Sequence, residues 1–444
     1  MRMDEYLKTV TEQVRCSKMH DSIAEELKDH ILDQAEAFEE EGTDHEKALE
    51  LAVKEMGDPV ETGVALDRIH RPRMSVEMLV LVSLISVLSL AFYGMMLMMT
   101  EQNPITGAGY WVHQQVKYTV VGFVLMLLVY RLDYSMLEKW GRQIAAGILA
   151  FVVLSLLAGV QIYGRIYGLR IGPVLIPTSG MIWLYVPAYA SVLYAYRGRS
   201  GRGLAGLVLW TLLPAFLVLR LPGLNQAILL LMALLLLFSI AVHKYWYQVN
   251  KRKLLATVWG IFFLVPIAAI GSGMLAEYQI ERLKAWFGQG QQNYAVQMAQ
   301  ECLHASRILG SSGNMVWQKL PGWSSEYILV SLASVYGLLA VAAAVALLLF
   351  LCVKMFRISS RQKNQLGMII GYGCGMVLLL QSVTVIAMNL GLLPVTSMTV
   401  PFFSAGRSNV VSSYILTGLV LSIYRYKDIL PEKPVKRIHP VSAE

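Results

Sequence analysis

The chain has 444 residues, of which 56% are hydrophobic and only 15% are charged. A soluble domain carries about 25% charged residues, so this composition excludes a soluble enzyme, a disordered protein and a fibrous repeat. The composition indicates a polytopic membrane protein.

The net charge of +8 averages two unlike parts of the chain. Residues 1–73 carry a net charge of −9, whereas residues 74–444 carry +17. An acidic head therefore precedes a basic, mostly apolar body. The basic excess predicts no nucleic-acid partner, because the cytoplasmic loops of membrane proteins collect lysine and arginine. The first 20 residues are polar, and we expect no cleavable signal peptide.

The head, residues 1–73, is predicted to be a short bundle of helices. One apolar stripe recurs at every fourth residue, at Ile23, Leu27, Ile31 and Ala35. Gly57 and Pro59 are expected to end one helix, and Asp58 is one candidate to open the next. The stretch IAEELKDHILDQAEAFEEEGTDHEKALELAVKEMGDP resembles the small HAAS modules that are fused to membrane segments in Gram-positive bacteria. The resemblance implies a cytoplasmic signalling or interaction module without catalysis.

The body, residues 74–430, is predicted to be all-α, with ten apolar segments. Several are long enough to span the roughly 30 Å of hydrocarbon in a bilayer. These segments are residues 77–100, 112–130, 143–163, 181–196, 203–219, 224–243, 254–275, 326–353, 366–390 and 408–424.

Charge predicts the orientation of the body. The connections on the same side as the head, with residues 425–444, which include the tail 431–444, hold 19 lysine and arginine residues, and the opposite connections hold eight. Because positive charge favours the cytoplasmic side, both termini are predicted to be cytoplasmic in a multi-pass bacterial plasma-membrane protein. The longest outer loop, residues 276–325 between segments seven and eight, is too long for a simple connection and is expected to be functional, with a structural lid as the alternative. Its first half is amphipathic and suited to lie along membrane lipid.

Six stretches of the body carry the pattern of a known family. They are HQQVKYTVVGFVLMLLVYRLDYSML, LRIGPVLIPTSG, LRLPGLNQAILLL, YQIERLKAWF, LPGWSSEYILVSLASVYGL and QSVTVIAMNLGLLPVTSMTVPFFSAGRSNVVSSYILTGLVLSI. Together they resemble the SEDS family of cell-wall polymerases (FtsW, RodA and SpoVE) over residues 77–426. The last stretch is the strongest match. The resemblance implies a peptidoglycan glycosyltransferase that polymerises lipid II on the outer membrane face, in cell division, cell shape or sporulation. It also implies a class B penicillin-binding protein as the partner.

The resemblance implies a catalytic carboxylate at Glu326. The family pattern Leu-Pro-Glu-x-x-Thr-Asp-Phe-Ile-Phe resembles LPGWSSEYIL, and its catalytic Asp falls on Glu326. A carboxylate there could serve as the general base at the acceptor hydroxyl, although glutamate adds a methylene and changes the reach. The alternative is that Glu326 is a first-turn helix residue favoured by the helix dipole.

Substrate contacts are predicted in the outer loop and in the C-terminal signature. Basic groups are expected to hold the pyrophosphate and loop glutamines to bind sugar hydroxyls. The candidates are Arg282, Gln279, Gln297, Gln300, Lys319, Ser404, Arg407 and Ser408. Interhelical hydrogen bonding is expected of Asn389 and Gln381. No metal-ligand set and no cofactor motif is visible, although the family reaction commonly benefits from a divalent cation.

Three departures from the family pattern leave other functions open. Gly180 and Gly223 stand where the family has carboxylates, and Ile176 stands where it has glutamine. Buried carboxylates in membranes are costly and usually functional, so their loss favours a second interpretation, a catalytically inactive scaffold or regulator of cell-wall synthesis. A third interpretation is a transporter of lipid-linked precursors, which would require paired polar residues deep in the helices.

Overall fold

The computed structural model describes residues 1–101, 108–162, 165–221, 223–271, 294–313 and 315–427, with the single residues 280 and 284. The chain divides into two compact units, one built on Met1–Met74 and the other on Ser75–Ile423.

The first unit is a helical bundle with its own apolar core. Ile23, Ile31 and Ala35 of the predicted stripe are buried, and so is Tyr6, whose hydroxyl donates to the Met56 carbonyl at 3.0 Å. Asp58 caps the last helix, as predicted, by accepting the Val60 amide at 2.7 Å. The helices are α1 (Met3–Gln13), α2 (His20–Glu40), α3 (His45–Glu55) and α4 (Pro59–His70).

The second unit is built of long apolar helices, which confirms the predicted polytopic helical fold. Six helices in the described part of the chain are long and apolar enough to cross a membrane. Where they are described, the ten predicted segments fall mostly on helix, whereas ten membrane crossings and the orientation stay predictions. The helices are α5 (Val76–Glu101), α6 (Ala108–Arg131), α7 (Met136–Ala158), α8 (Thr178–Met181), α9 (Tyr185–Ala195), α10 (Ala205–Arg220), α11 (Leu224–His243), α12 (Lys251–Gly271), α13 (Tyr294–Ala305), α14 (Ile328–Tyr336), α15 (Leu338–Ser360), α16 (Gln365–Asn389) and α17 (Arg407–Arg425).

A small antiparallel sheet, which the sequence did not predict, lies between α7 and α8 in the chain. Its strands are β1 (Val160–Ile162), β2 (Arg165–Ile171) and β3 (Val174–Pro177), in the order β1-β2-β3. The Gly172 turn between β2 and β3 has a φ of 59°, a conformation that glycine adopts without steric cost. The helix of the third predicted segment therefore ends at Ala158, and not at residue 163 as predicted.

The eighth predicted segment is two helices rather than one. Gly337, with a φ of 95°, separates α14 from α15. A side chain at this position would collide with the backbone of Arg307 and Ile308, which lies against the break. The amide of Leu338 donates to the Arg307 carbonyl at 2.9 Å, so the outer loop is fastened at this interruption.

The most buried of the long helices is α16, which packs against α9, α11 and α15. Gly373 at its middle lets Val186 of α9 and Leu237 of α11 approach closely. Small residues commonly permit such close helix contacts in membrane proteins. This packing holds Asn389, at the end of α16, in a defined place.

Candidate functional site

Glu326 lies in a tight turn formed by residues 322–327, directly before α14. The amides of Ser325 and Tyr327 both donate to the Gly322 carbonyl, at 3.0 and 2.9 Å. Because α14 begins at Ile328, Glu326 precedes the helix, and the interpretation of Glu326 as a first-turn residue is wrong. The side chain is half-buried, so the carboxylate is both held and accessible.

Two elements from elsewhere in the chain hold the backbone of this turn. The Ser324 carbonyl accepts the Tyr93 hydroxyl of α5 and the Ala405 amide, both at 2.8 Å. The Ser325 carbonyl accepts the Ser404 hydroxyl at 2.7 Å. Ser404 is fully buried, and its oxygen also accepts the Val400 amide. Its hydroxyl therefore joins the turn before α14 to the turn before α17.

A third element holds the carbonyl of Glu326 itself. Asn389 donates its Nδ2 to this carbonyl at 2.9 Å and to the Val385 carbonyl of its own helix at the same distance. Asn389 therefore bonds the turn before α14 and its own helix, and not a second helix as expected. Ser325 donates its hydroxyl to the Glu326 carboxylate. Three consecutive carbonyls, 324 to 326, are thus bonded by groups of α5, α16 and the segment before α17.

The segment before α17 is also hydrogen-bonded to α5 and α6. Phe402 has a φ of 65°, and its carbonyl accepts Ser89 at 3.0 Å and the Gln115 amide at 2.8 Å. Gln115 also donates to Ser89 at 2.9 Å. Gln115 is 1% exposed, and its Oε1 has no hydrogen-bond partner among the described residues. A buried acceptor left in this state has bonding capacity for a hydroxyl or amide of a ligand or water.

Arg407, the first residue of α17, faces aromatic hydroxyls. Its Nη2 donates to the Tyr110 hydroxyl. Burial raises the pKa of the Tyr167 phenol on β2, and the positive charge of Arg407 opposes that shift. In the described ranges, no carboxylate lies within salt-bridge distance of Arg407. The guanidinium therefore keeps bonding capacity for an anion.

A small cavity adjoins Arg407 between α6 and the start of α17. The buried oxygens Gln114 Oε1 and Gln115 Oε1, both without partners in the part of the chain described, belong to residues on its wall. Its lining residues are Trp111, Gln114, Gln115, Tyr118, Ala405, Gly406, Arg407 and Val410. The volume of this cavity, about 10 Å³, is roughly that needed for one water molecule, so it can take one water or one polar group of a ligand.

Gly180 packs directly against α17, at a position where the family pattern has a carboxylate. Its amide donates to Ser408 Oγ at 3.0 Å, and its carbonyl accepts Ser412 Oγ at 2.8 Å. A Cβ at this position would collide with the Ser408 backbone. The predicted substrate contact Ser408 therefore bonds Gly180 through its side chain.

Gly223 has space around it, in contrast to Gly180. A Cβ there would make only ordinary contacts, at 3.6 Å to Gln226 and 3.8 Å to Val218. Gln226 in turn donates to the Ser179 carbonyl at 2.6 Å, so the two glycine positions lie in one region of the fold. A side chain would therefore collide with its neighbours at Gly180 but would fit at Gly223.

The remaining predicted contacts are spread over the outer loop. Lys319 is exposed and directly precedes the segment that leads into the Glu326 turn. Gln297 and Gln300 are exposed on α13, and Gln300 lies beside Gly391. Arg282 and Gln279 lie outside the described residues. The same is true of most of the amphipathic stretch that contains them.

Sequence reasoning missed several residues of this region. Tyr93, Tyr110 and Gln115 act through contacts with residues about 230 to 300 positions away, which no local pattern reveals. A Pro-Gly pair is a turn signal, and it could have pointed to the turn at Gly322. No group of three or more His, Cys, Asp or Glu side chains that could hold a metal ion occurs within the described ranges.

A large part of the chain matches a known protein family. The model of the FtsW/RodA/SpoVE family, described as cell cycle protein, matches residues 74–429. The putative peptidoglycan glycosyltransferase FtsW of Mesostigma viride is 23% identical over 324 residues, which cover 71% of this chain and 75% of that relative. The probable peptidoglycan glycosyltransferase FtsW of Nitrosococcus halophilus is 24% identical over 336 residues, covering 71% and 82%.

Solved structures share the fold of the second unit. A chain from "Structural coordination of polymerization and crosslinking by a peptidoglycan synthase complex" matches 79% of this chain and 98% of its own length, with a TM-score of 0.64 and 22% identity. The rod shape determining protein RodA of Thermus thermophilus matches 80% of this chain and 97% of its own length, with a TM-score of 0.56 and 18% identity. At these identities the likeness establishes the fold.

Proposed function

This chain belongs to the FtsW/RodA/SpoVE family of cell cycle proteins, and from this premise we propose that it is a peptidoglycan glycosyltransferase acting on lipid II. The observation that carries the proposal is the turn of Glu326. Its carboxylate is half-buried, and the backbone on which it stands is hydrogen-bonded to three separate elements. A general base must be held within hydrogen-bond reach of the proton that it removes, and a turn bonded at three consecutive carbonyls supports the proposal that Glu326 is held in this way.

In the proposed reaction, Glu326 accepts the proton of the acceptor sugar hydroxyl. The hydroxyl oxygen then forms a bond to the anomeric carbon of the lipid-linked donor. The bond between that carbon and the diphosphate oxygen breaks, and the lipid diphosphate leaves with the electron pair. The proton resides on Glu326 until solvent or the leaving group takes it. Each turnover thus lengthens the glycan by one repeating unit.

Arg407 is proposed to bind the diphosphate of the lipid-linked substrate. The proposal is supported by its place two residues after Ala405, which is bonded to the Glu326 turn, and by the absence of a carboxylate partner among the residues described. Lys319 is proposed to add a second positive charge from the exposed approach to that turn. The loop residues Arg282, Gln279, Gln297 and Gln300 remain proposed sugar and phosphate contacts.

The proposed topology places Glu326 on the outer membrane face and both termini in the cytoplasm. The lysine and arginine residues of the inner connections support this orientation. We propose a class B penicillin-binding protein as partner, since a structural neighbour comes from work on a peptidoglycan synthase complex that couples polymerization and crosslinking. The acidic head would then be a cytoplasmic interaction module.

A catalytically inactive scaffold is the second candidate function. It is favoured by Gly180, where the contact with Ser408 leaves no space for the carboxylate that the family pattern has at this position. In this case the membrane unit would bind partner and lipid without forming glycan.

Polymerisation of lipid II by the purified full-length chain separates the two candidates. The reaction is run with the chain alone and with a class B penicillin-binding protein, and products are read on gels. We expect glycan strands that an active-site-dead penicillin-binding protein does not abolish. A correctly folded chain that yields no strand under either condition would refute the enzyme and support the scaffold.

A further inference from the structure

Gly322 lies directly beneath the carboxylate of Glu326. The two residues are four apart in the same turn, which closes through the hydrogen bonds of Ser325 and Tyr327 to the Gly322 carbonyl. Gly322 has a φ of 78°, in the left-handed region that favours glycine. Residue 322 therefore has no side chain on the side of the turn where the Glu326 carboxylate lies.

A side chain at position 322 would occupy the place of the carboxylate. The atom nearest to a Cβ built on Gly322 is Glu326 Oε2, and the separation would be far below van der Waals contact. This oxygen is the end of a flexible side chain, so the carboxylate can move while the backbone stays. The same oxygen accepts the Ser325 hydroxyl, which helps to hold it in place.

We propose that Gly322 is a positioning residue for Glu326, which sets where the carboxylate stands by leaving the space that it fills. The inference rests on the proposed function of Glu326 as the base. It explains how a glutamate serves in a pattern that otherwise has aspartate. The family pattern Leu-Pro-Glu-x-x-Thr-Asp has a side chain at the position of Gly322, and here that side chain is missing while residue 326 is one methylene longer. The extra reach of Glu326 is taken up by folding back over Gly322.

The test is a double-mutant cycle at positions 322 and 326 in the full-length chain. Gly322→Ala is expected to lower kcat for lipid II polymerisation by roughly 10- to 100-fold with little change in KM, because a displacement of about 1 Å can cost that much. Glu326→Asp alone is expected to keep kcat within a few-fold of the wild-type value, since the methylene that it removes is the one taken up by folding back. Adding Glu326→Asp to the Gly322→Ala variant is expected to raise kcat, because the shorter side chain clears the new methyl group.

The matched control is Gly313→Ala. Gly313 lies in the same outer loop and has a φ of 70°, but a Cβ there would meet nothing within 4 Å. It carries the same backbone penalty without the contact to Glu326, so kcat should stay at the wild-type value. A second readout is the rate at which dicyclohexylcarbodiimide modifies Glu326, measured by mass spectrometry. This rate should rise several-fold in Gly322→Ala and not in Gly313→Ala.

The outcomes separate this inference from the proposed function. A kcat for Gly322→Ala equal to that of Gly313→Ala, or a double variant no better than Gly322→Ala, would overturn the role of Gly322 while Glu326 could still be the base. A wild-type chain without polymerase activity would refute the proposed function, and the labelling rates would then decide whether Gly322 positions the carboxylate. Unchanged labelling in Gly322→Ala would overturn the inference by itself.

Discussion

The side-chain amide of Asn389 donates to the backbone carbonyl of Glu326 at 2.9 Å, joining the end of α16 to the turn before α14. Asn389→Ala removes this donor from the carbonyl of the half-buried Glu326. We expect the free energy of unfolding to fall by about 1–3 kcal/mol and the polymerisation rate to fall further than stability alone explains. Thermal unfolding in detergent and the lipid II assay measure the two effects.

Gln381 provides the control for this prediction. It is a buried amide on the same helix, 5% exposed, two turns before Asn389. Gln381→Ala should lower stability by a similar amount and leave the polymerisation rate per folded molecule unchanged. Equal losses of rate in the two variants would contradict a specific link between Asn389 and the Glu326 turn.

Substitution by alanine should lower the stability of the fold at Gly180 but not at Gly223. Gly180→Ala places a methyl group against the Ser408 backbone, and such overpacking typically costs about 1–3 kcal/mol. Gly223→Ala meets only ordinary contacts, so the melting temperature should not change. Melting curves of both variants in one detergent test the pair. A tolerated Gly180→Ala would show that α8 and α17 do not pack as described.

Arg407 should affect substrate binding more than turnover. Arg407→Ala removes charged hydrogen bonds worth about 1.5–3 kcal/mol, and we expect KM for lipid II to rise by at least about tenfold. Tyr110→Phe removes only the phenol that receives the guanidinium and should have a smaller effect. Arg170→Ala, at an exposed arginine on β2, is the control and should leave KM unchanged. A fall in kcat with constant KM would contradict diphosphate binding by Arg407.

Removal of the acidic head should leave polymerisation intact. A chain that starts at Met74 keeps the second compact unit, which begins at Ser75. Its rate with lipid II should equal that of the full-length chain, because the proposed site uses no residue of the head. A truncated chain that is folded and inactive would show that the head takes part in activity.

The sequence predicts the helices well because burial in lipid requires long apolar runs, which stand out against polar connections. It fails where glycine interrupts an apolar run. Nothing in the hydropathy of residues 326–353 marks the break at Gly337, which depends on the loop backbone packed against it. The sequence does not predict the sheet at 160–177 either, because its first residues continue the apolar pattern of the third predicted segment.

In the candidate site, too, some features can be predicted from the sequence and others cannot. Glu326 could be found from a motif, because its chemistry and its neighbours lie within one short stretch of chain. The bond between Ser404 and Ser325 joins residues that are 79 positions apart, one in the segment before α17 and the other in the turn before α14. The role of Ser404 as a link between two turns could therefore come only from the structure.

The most direct test of the central claim is the polymerisation rate of Glu326→Gln beside wild type, each assayed with lipid II and a class B penicillin-binding protein. Glutamine keeps the size of the side chain and can still accept the Ser325 hydroxyl, but it cannot act as a base. We expect kcat to fall by about 100-fold or more, since general base catalysis typically contributes 10²–10⁴-fold. A Glu326→Gln variant that forms glycan at the wild-type rate would contradict Glu326 as the base.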